Sequence, residues 1–219
     1  MTPSFQTVLF DFDYTLADST AGIVECVSYA LERMGLPPVA TEAIRPTVGL
    51  TLAEVCVRLL GPAQAARAEE FTRLFLERAE EVMVARTVVY PAVGHVVTLL
   101  QRRGVALGIV STKYRQRIVG VLRREGLLGA FDVIVGGDDV VQQKPAPEGL
   151  LLAIKRLQIA PTRTLYVGDS LTDAETAQRA GVAFVAVVGA GVTPAESFAG
   201  YPVRAVLQSI EELPEWLGF

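Results

Sequence analysis

Four short segments hold the side chains able to do chemistry. The first is Phe10-Asp11-Phe12-Asp13-Tyr14-Thr15. Side chains two apart on an extended chain point the same way, so Asp11 and Asp13 share one side and Phe10 and Phe12 the other. Two carboxylates this close repel unless a cation or a shared proton relieves them; a solvated acidic turn after a strand is the plainer alternative. The second segment is Ser111-Thr112-Lys113, whose hydroxyls and amides suit a phosphate oxygen or the cap of a following helix. The third is Lys144-Pro145-Ala146-Pro147. Its prolines restrict the backbone and aim the lysine, and Pro147 is suited to open a helix; a solvated loop lysine is the alternative. The fourth is Val167-Gly168-Asp169-Ser170-Leu171-Thr172-Asp173. Asp169 follows a glycine that permits close backbone approach and can reach a metal, whereas Asp173 either joins it or only favours a helix N-terminus. Together these groups offer carboxylates for a hard cation, and a lysine with hydroxyls for a dianion. A phosphoryl group bound with Mg²⁺ needs both.

Each segment ends a short apolar run or follows one closely. The runs are Thr7–Phe10, Val105–Val110, Phe131–Val135, Thr164–Val167 and Ala183–Val188. Near-continuous apolar character marks strands covered on both faces. Helical patterns over 92–103, 115–126, 147–157 and 172–180 separate them, with Gly104, Gly126 and Gly181 at the C-terminal caps. Such alternation predicts a Rossmann-like α/β core, with a parallel sheet and helices on both faces. About 90 residues separate the first two runs, and that stretch reads as helices at 19–34, 51–60 and 63–84, with no convincing strand. The expected organisation is an α/β core of residues 1–15 and 87–219 and an all-helical insert of residues 16–86. An insert rooted there belongs over the strand ends, where open α/β sheets bind ligands.

Composition narrows the function classes. The chain has 219 residues, 51% hydrophobic and 20% charged, with a net charge of −4. That balance excludes a disordered chain and lacks the basic footprint of a nucleic-acid binder. The longest uncharged stretch, ending at Glu196, is broken by Gly189, Gly191 and Pro194, so no membrane span is expected. The N-terminus lacks the pattern of a signal peptide, and Cys26 and Cys56 have no metal-ligand spacing. A cytoplasmic protein with reduced thiols, a monomer or homodimer, is the expectation. Asparagine is absent, and three lysines stand against seventeen arginines, so a lysine marks a place that wants a compact ammonium.

In their order, Asp11-x-Asp13-x-Thr15, Ser111-Thr112, Lys144-Pro-x-Pro and Gly168-Asp169-Ser170-x-x-Asp173 resemble the haloacid dehalogenase superfamily of phosphatases. The helical insert resembles that superfamily's first cap type. The chain as a whole is most similar to the phosphoglycolate phosphatase group and its pyrophosphatase relatives. The resemblance implies that Asp11 is the nucleophile, forming an aspartyl-phosphate, and that Asp13 is first the general acid and then the base. It implies that Ser111 and Lys144 hold the transferring phosphoryl group. Asp11, the backbone carbonyl of Asp13 and Asp169 would bind Mg²⁺, with Asp173 behind them or as an alternative ligand. Thr15 favours a phosphatase over the sugar phosphomutases, and Asp13 argues against the dehalogenases. Two positions depart from the pattern: Tyr14 replaces the usual Gly, and Thr112 a frequent Asn. Thr112 and Lys113 are candidates for substrate contact, Lys113 with a surface role as the alternative. Arg45, in Arg45-Pro-Thr-Val-Gly-Leu-Thr51, resembles the cap loop that faces the site; it would meet a substrate carboxylate or second phosphate, or stay solvated.

The implied activity is Mg²⁺-dependent hydrolysis of a small phosphorylated metabolite, with 2-phosphoglycolate a candidate. A pyrophosphatase, or a sugar-phosphate phosphatase or phosphomutase of the same family, is the alternative. A phosphometabolite-binding module without catalysis would be expected to have lost one of Asp11, Asp13, Lys144 or Asp169. His95 and the pair Asp138-Asp139 read as surface residues, Gly189-Ala-Gly191 as a loop after the fifth strand, and Trp216 as an anchor for the tail.

Overall fold

A computed structural model describes residues 5–219; the first four residues of the segment read for a signal peptide lie outside them. In chain order the elements are β1 (Thr7–Phe10), β2 (Ala17–Asp18), α1 (Thr20–Arg33), α2 (Thr41–Ile44), α3 (Leu52–Leu60), α4 (Ala68–Arg86) and β3 (Val88–Val89). They continue with α5 (Val93–Arg102), β4 (Ala106–Val110), α6 (Arg115–Arg124), β5 (Val133–Val135), α7 (Glu148–Leu157) and β6 (Thr164–Gly168). The last are α8 (Leu171–Ala180), β7 (Ala183–Val187), β8 (Val203–Leu207) and α9 (Leu213–Trp216). The chain divides into two compact units, residues Asp18–Val88 and the remainder.

The larger unit holds a six-stranded sheet in the order β5-β4-β1-β6-β7-β8, parallel at every pairing. From β1 the chain steps to β4 and β5 on one side, then crosses to β6, β7 and β8 on the other. Right-handed crossovers put α5 and α6 on one face and α7 and α8 on the opposite face. The direction reverses beside β1, so the carboxyl ends of β4, β1 and β6 border the crevice of a doubly wound sheet. Leu9, Val110, Val133, Tyr166 and Phe184 form one apolar cluster with Leu150 and Ala153 of α7 and Ala174 and Ala177 of α8. The first run, Thr7–Phe10, is buried throughout, as expected for a strand covered on both faces.

The smaller unit is helical. Ile23, Cys26, Val27, Ala30 and Leu31 of α1 pack with Phe71, Leu74, Phe75, Ala79 and Met83 of α4, at the three- and four-residue spacings of an amphipathic helix. Three features differ from the sequence reading. β8 adds a sixth strand whose burial alternates, as on a sheet edge, so it lacks a continuous apolar signature. Two-residue strands, β2 and β3, pair with each other in the stretch read as wholly helical. Helix α4 begins only at Ala68, after a 3₁₀ segment over Pro62–Arg67, because Arg67 leaves helical geometry and ties its guanidinium to Glu70 and the Met34 carbonyl. Among the described residues no helix is long and apolar enough to cross a membrane.

Candidate active site

The site lies wholly within the α/β unit. Asp11 directly follows β1 and continues its ladder, its N–H donating to the Val167 carbonyl at 2.8 Å. The chain then makes a tight turn: Leu16 and Ala17 donate backbone bonds to the Phe12 carbonyl. Tyr14, at the tip, is buried with φ of +59°. A β-carbon is disfavoured in that left-handed region; this is the position where the resembling family usually has Gly. The turn delivers Thr15, whose hydroxyl donates to Asp169 Oδ1 at 3.3 Å.

Asp169 and Asp173 arrive from the junction of β6 and α8. Ser170 caps α8: its Oγ accepts from the Asp173 N–H, and Asp173 Oδ2 accepts from the Ser170 N–H at 3.1 Å and Oγ at 2.6 Å. This reciprocal capping box locks the Asp173 rotamer. Gly168 makes room for it, since a β-carbon there would lie 2.6 Å from the Asp173 carboxyl.

Lys144 comes from the loop before α7. Glu148 pins that loop by accepting from the N–H groups of Val141 and Gln142 at 3.0 and 2.8 Å, and the Lys144–Pro145 peptide is cis. The ammonium stands 2.6 Å from Asp173 Oδ1 and 2.9 Å from Asp11 Oδ1. The bond to Asp173 is a good hydrogen bond, whereas the approach to Asp11 lacks hydrogen-bond alignment, and that oxygen is buried with no hydrogen-bond partner. Lys113 reaches the other catalytic candidate, donating to both oxygens of Asp13 at 3.0 and 3.1 Å. It is 8% exposed, so the surface alternative for Lys113 is wrong: its aliphatic stem is buried and its charge is matched by Asp13.

Burial dominates the electrostatics. It pushes the Asp11 carboxyl up to about 6, with Lys144 pulling down and Asp173 pushing further up. Asp169 is held well above the usual carboxylate range by burial, then by the charges of Asp173 and Asp11. For Lys144 burial works against the charge, but Asp11 and Asp173 more than offset it and raise the lysine above its ordinary value. Four buried carboxylates (Asp11, Asp13, Asp169 and Asp173) face two buried ammoniums. The formal excess is two negative charges, the charge one divalent cation neutralises. Oxygens of Asp11, Asp169 and Asp173 lie within 4.8 Å of one another, and an all-oxygen set suits Mg²⁺. Both Asp173 oxygens already carry hydrogen bonds, whereas Asp11 Oδ1 has none. Asp173 is therefore the least free of the three to turn toward a cation.

The structure brings together Asp11, Asp13, Thr15, Lys113, Lys144, Asp169 and Asp173. Ser111 follows β4, continues its ladder to the Val135 carbonyl at 3.1 Å, and is buried; its Oγ accepts from the Lys113 N–H at 3.3 Å and does not cap α6, whose cap residue is Tyr114. Thr112 is half-buried beside it. Arg45 lies in the helical unit, exposed, at the end of α2. Asp138, exposed as read, and the half-buried Asp139 accept backbone bonds from Arg115 and Gly136 and order the loop and the start of α6. His95 is exposed on α5, and Trp216 stacks on Phe5 at 6.4 Å. Sequence reasoning missed Tyr166, whose hydroxyl lies 3.2 Å from Lys144 Nζ, because it stands inside an apolar strand. It also missed the Ser170 hydroxyl on Asp173, although Ser-x-x-Asp before a helix signals that pairing.

Comparison with known proteins agrees with this architecture. The haloacid dehalogenase-like hydrolase family matches residues 8–187. A phosphoglycolate phosphatase of Pseudomonas putida is 37% identical over 183 residues, covering 80% of this chain and 66% of that protein. The phosphoglycolate phosphatase of Escherichia coli K12 is 31% identical, covering 96% of this chain and 92% of that one. A solved Bacteroides fragilis structure, titled as a haloacid dehalogenase-like hydrolase by assignment, superposes with a TM-score of 0.91 at 43% identity, covering 95% and 99% of the two chains. The chain belongs to the haloacid dehalogenase-like hydrolase family, in its phosphoglycolate phosphatase-like group of phosphatases.

Proposed function

We propose that this protein is a Mg²⁺-dependent phosphatase that hydrolyses a small phosphorylated metabolite, with 2-phosphoglycolate the leading candidate. The observation that carries the reading is the buried charge set: four carboxylates stand against two ammoniums, with Asp11 Oδ1 2.9 Å from Lys144 Nζ. Asp11, the Asp13 carbonyl and Asp169 hold Mg²⁺ in this reading, and Asp173 holds Lys144. The cation, when bound, offsets negative charge on Asp11 and on the phosphoryl oxygens.

The chain's own groups do the rest. Lys144 and Ser111 orient the phosphoryl group so that an Asp11 oxygen lies in line with the leaving oxygen. The Asp11 oxygen forms a bond to phosphorus as the bond to the leaving oxygen breaks, and Asp13 delivers a proton to that oxygen. Water then attacks the phosphorus of the aspartyl-phosphate, Asp13 takes the water's proton, and the bond to Asp11 breaks to release inorganic phosphate. Lys113 holds Asp13 in place between the two steps, and with Thr112 it is placed to meet the rest of the substrate. The helical unit acts as the cap, and Arg45 contributes a cation to selection.

Phosphate release tests this reading. The panel comprises 2-phosphoglycolate, sugar phosphates, pyrophosphate and an aryl phosphate, each with Mg²⁺ and with EDTA. Release that requires Mg²⁺ and favours 2-phosphoglycolate is expected. A preference for pyrophosphate or a sugar phosphate would reassign the substrate, and no release from folded protein would overturn the reading.

A further inference from the structure

We infer that Tyr166 is a positioning residue for phosphoryl transfer, its hydroxyl holding the Lys144 ammonium toward Asp11; this rests on the phosphatase reading of the site. Tyr166 sits on the sheet face covered by α7 and α8, fully buried among Leu9, Val110, Phe184 and Ala174. Its ring lies 6.0 Å from that of Phe184. Packing alone would be served by Phe at this place. A phenol there must recover the hydration of its hydroxyl through hydrogen bonds.

The hydroxyl has three polar neighbours from three elements. It accepts from Lys144 Nζ at 3.2 Å, and it lies 3.0 Å from Asp173 Oδ1 and 2.9 Å from the Val110 carbonyl, either of which takes its single proton. Val110 directly precedes Ser111. One oxygen atom thus ties the loop that carries Lys144, the helix that carries Asp173 and the strand end that carries Ser111. The consequence for Lys144 is geometric. An ammonium has three N–H groups at tetrahedral angles. Asp173 and Tyr166 take two of them, and these two anchors hold the ammonium 2.9 Å from Asp11 Oδ1, where it meets Asp11 as an ion pair. Without the phenol oxygen one anchor remains, and the ammonium is free to swing about its bond to Asp173.

The test is Tyr166→Phe, which keeps the ring and its packing. Phosphoryl transfer depends on placement, and a displacement of about 1 Å can cost on the order of a hundredfold. The expected result is a fall in kcat of about tenfold or more, with KM changed by less than about threefold and the melting temperature nearly unchanged. Phe184→Leu is the structural control: it loosens the same packing without touching a polar atom, so it should lower the melting temperature and leave kcat near wild type. The inference is overturned if Tyr166→Phe keeps kcat within about twofold of wild type, or if Phe184→Leu loses as much kcat. A crystal structure of Tyr166→Phe separates this inference from the substrate reading. Lys144 Nζ drawn away from Asp11 supports the positioning role even if no panel compound is hydrolysed; Lys144 Nζ unmoved overturns it.

Discussion

Each of the two units buries an apolar core, but they treat charge in opposite ways. In the helical unit the buried polar residues are Ser19, Thr47 and Thr87, all neutral hydroxyls. Its ion pairs run from the half-buried Arg78–Glu25 to the exposed Arg73–Glu77, and none is fully buried among the described residues. The α/β unit buries Asp11, Asp13, Lys113, Arg117, Lys144, Asp169 and Asp173. Burying ionised groups is unfavourable by several kcal/mol each unless they are paired, and here the pairing leaves carboxylates in excess. The contrast separates the two roles. The helical unit has an ordinary interior of apolar groups and neutral hydroxyls. The α/β unit carries unfavourable electrostatics concentrated at three adjacent strand ends, as expected where chemistry is done.

The largest expected effect is on turnover. Asp11→Asn removes the proposed nucleophile and should lower phosphate release by about a thousandfold or more, whereas Arg78→Ala in the helical unit should leave the rate within about twofold of wild type. Equal losses in steady-state assays would erase the distinction between the units.

The next effect is on stability. Lys144→Ala leaves Asp11 and Asp173 buried without their ammonium and should cost about 3–5 kcal/mol in chemical denaturation. Arg73→Ala, which breaks the exposed pair with Glu77, should leave the melting temperature nearly unchanged.

Asp11→Asn should also sharpen the comparison through pH. The Asp11 pKa is about 6 in the folded chain against an ordinary 3.8. The folded state therefore holds this proton more tightly, and stability falls as pH rises from about 4 to about 6. Without added Mg²⁺, Asp11→Asn should be more stable than wild type at pH 8, by on the order of 2–3 kcal/mol. The gain should vanish below about pH 4. A gain that does not change with pH would mean that the burial of this charge is not the cause.

Gly168→Ala should have the smallest effect. Its β-carbon would meet the Asp173 carboxyl at 2.6 Å, and displacing that side chain should cost about 1–3 kcal/mol. An alanine tolerated without loss in thermal denaturation would show that Asp173 has freedom to move.

The legible parts of the molecule are those where one physical constraint acts on several neighbouring residues. Strands β1, β4, β5, β6 and β7 are buried on both faces and therefore apolar along their length. β8 is an edge strand with Arg204 exposed, so its alternation is brief and ambiguous. The acidic, hydroxyl and lysine residues were visible because they stand at strand ends, where nothing about packing asks for them. Tyr166 was not, since a tyrosine inside an apolar strand carries no mark of where its hydroxyl points. Lys113 was ambiguous for a similar reason: only the fold shows that Asp13, a hundred positions away, receives it.

The central claim is that Asp11 becomes covalently phosphorylated. Quenching the enzyme with borohydride during turnover of an aryl phosphate would reduce an aspartyl-phosphate to homoserine, and peptide mass spectrometry would locate it. Homoserine at position 11, absent without substrate, is the predicted result. Turnover with no modification at position 11, or with modification at Asp13 instead, would contradict it.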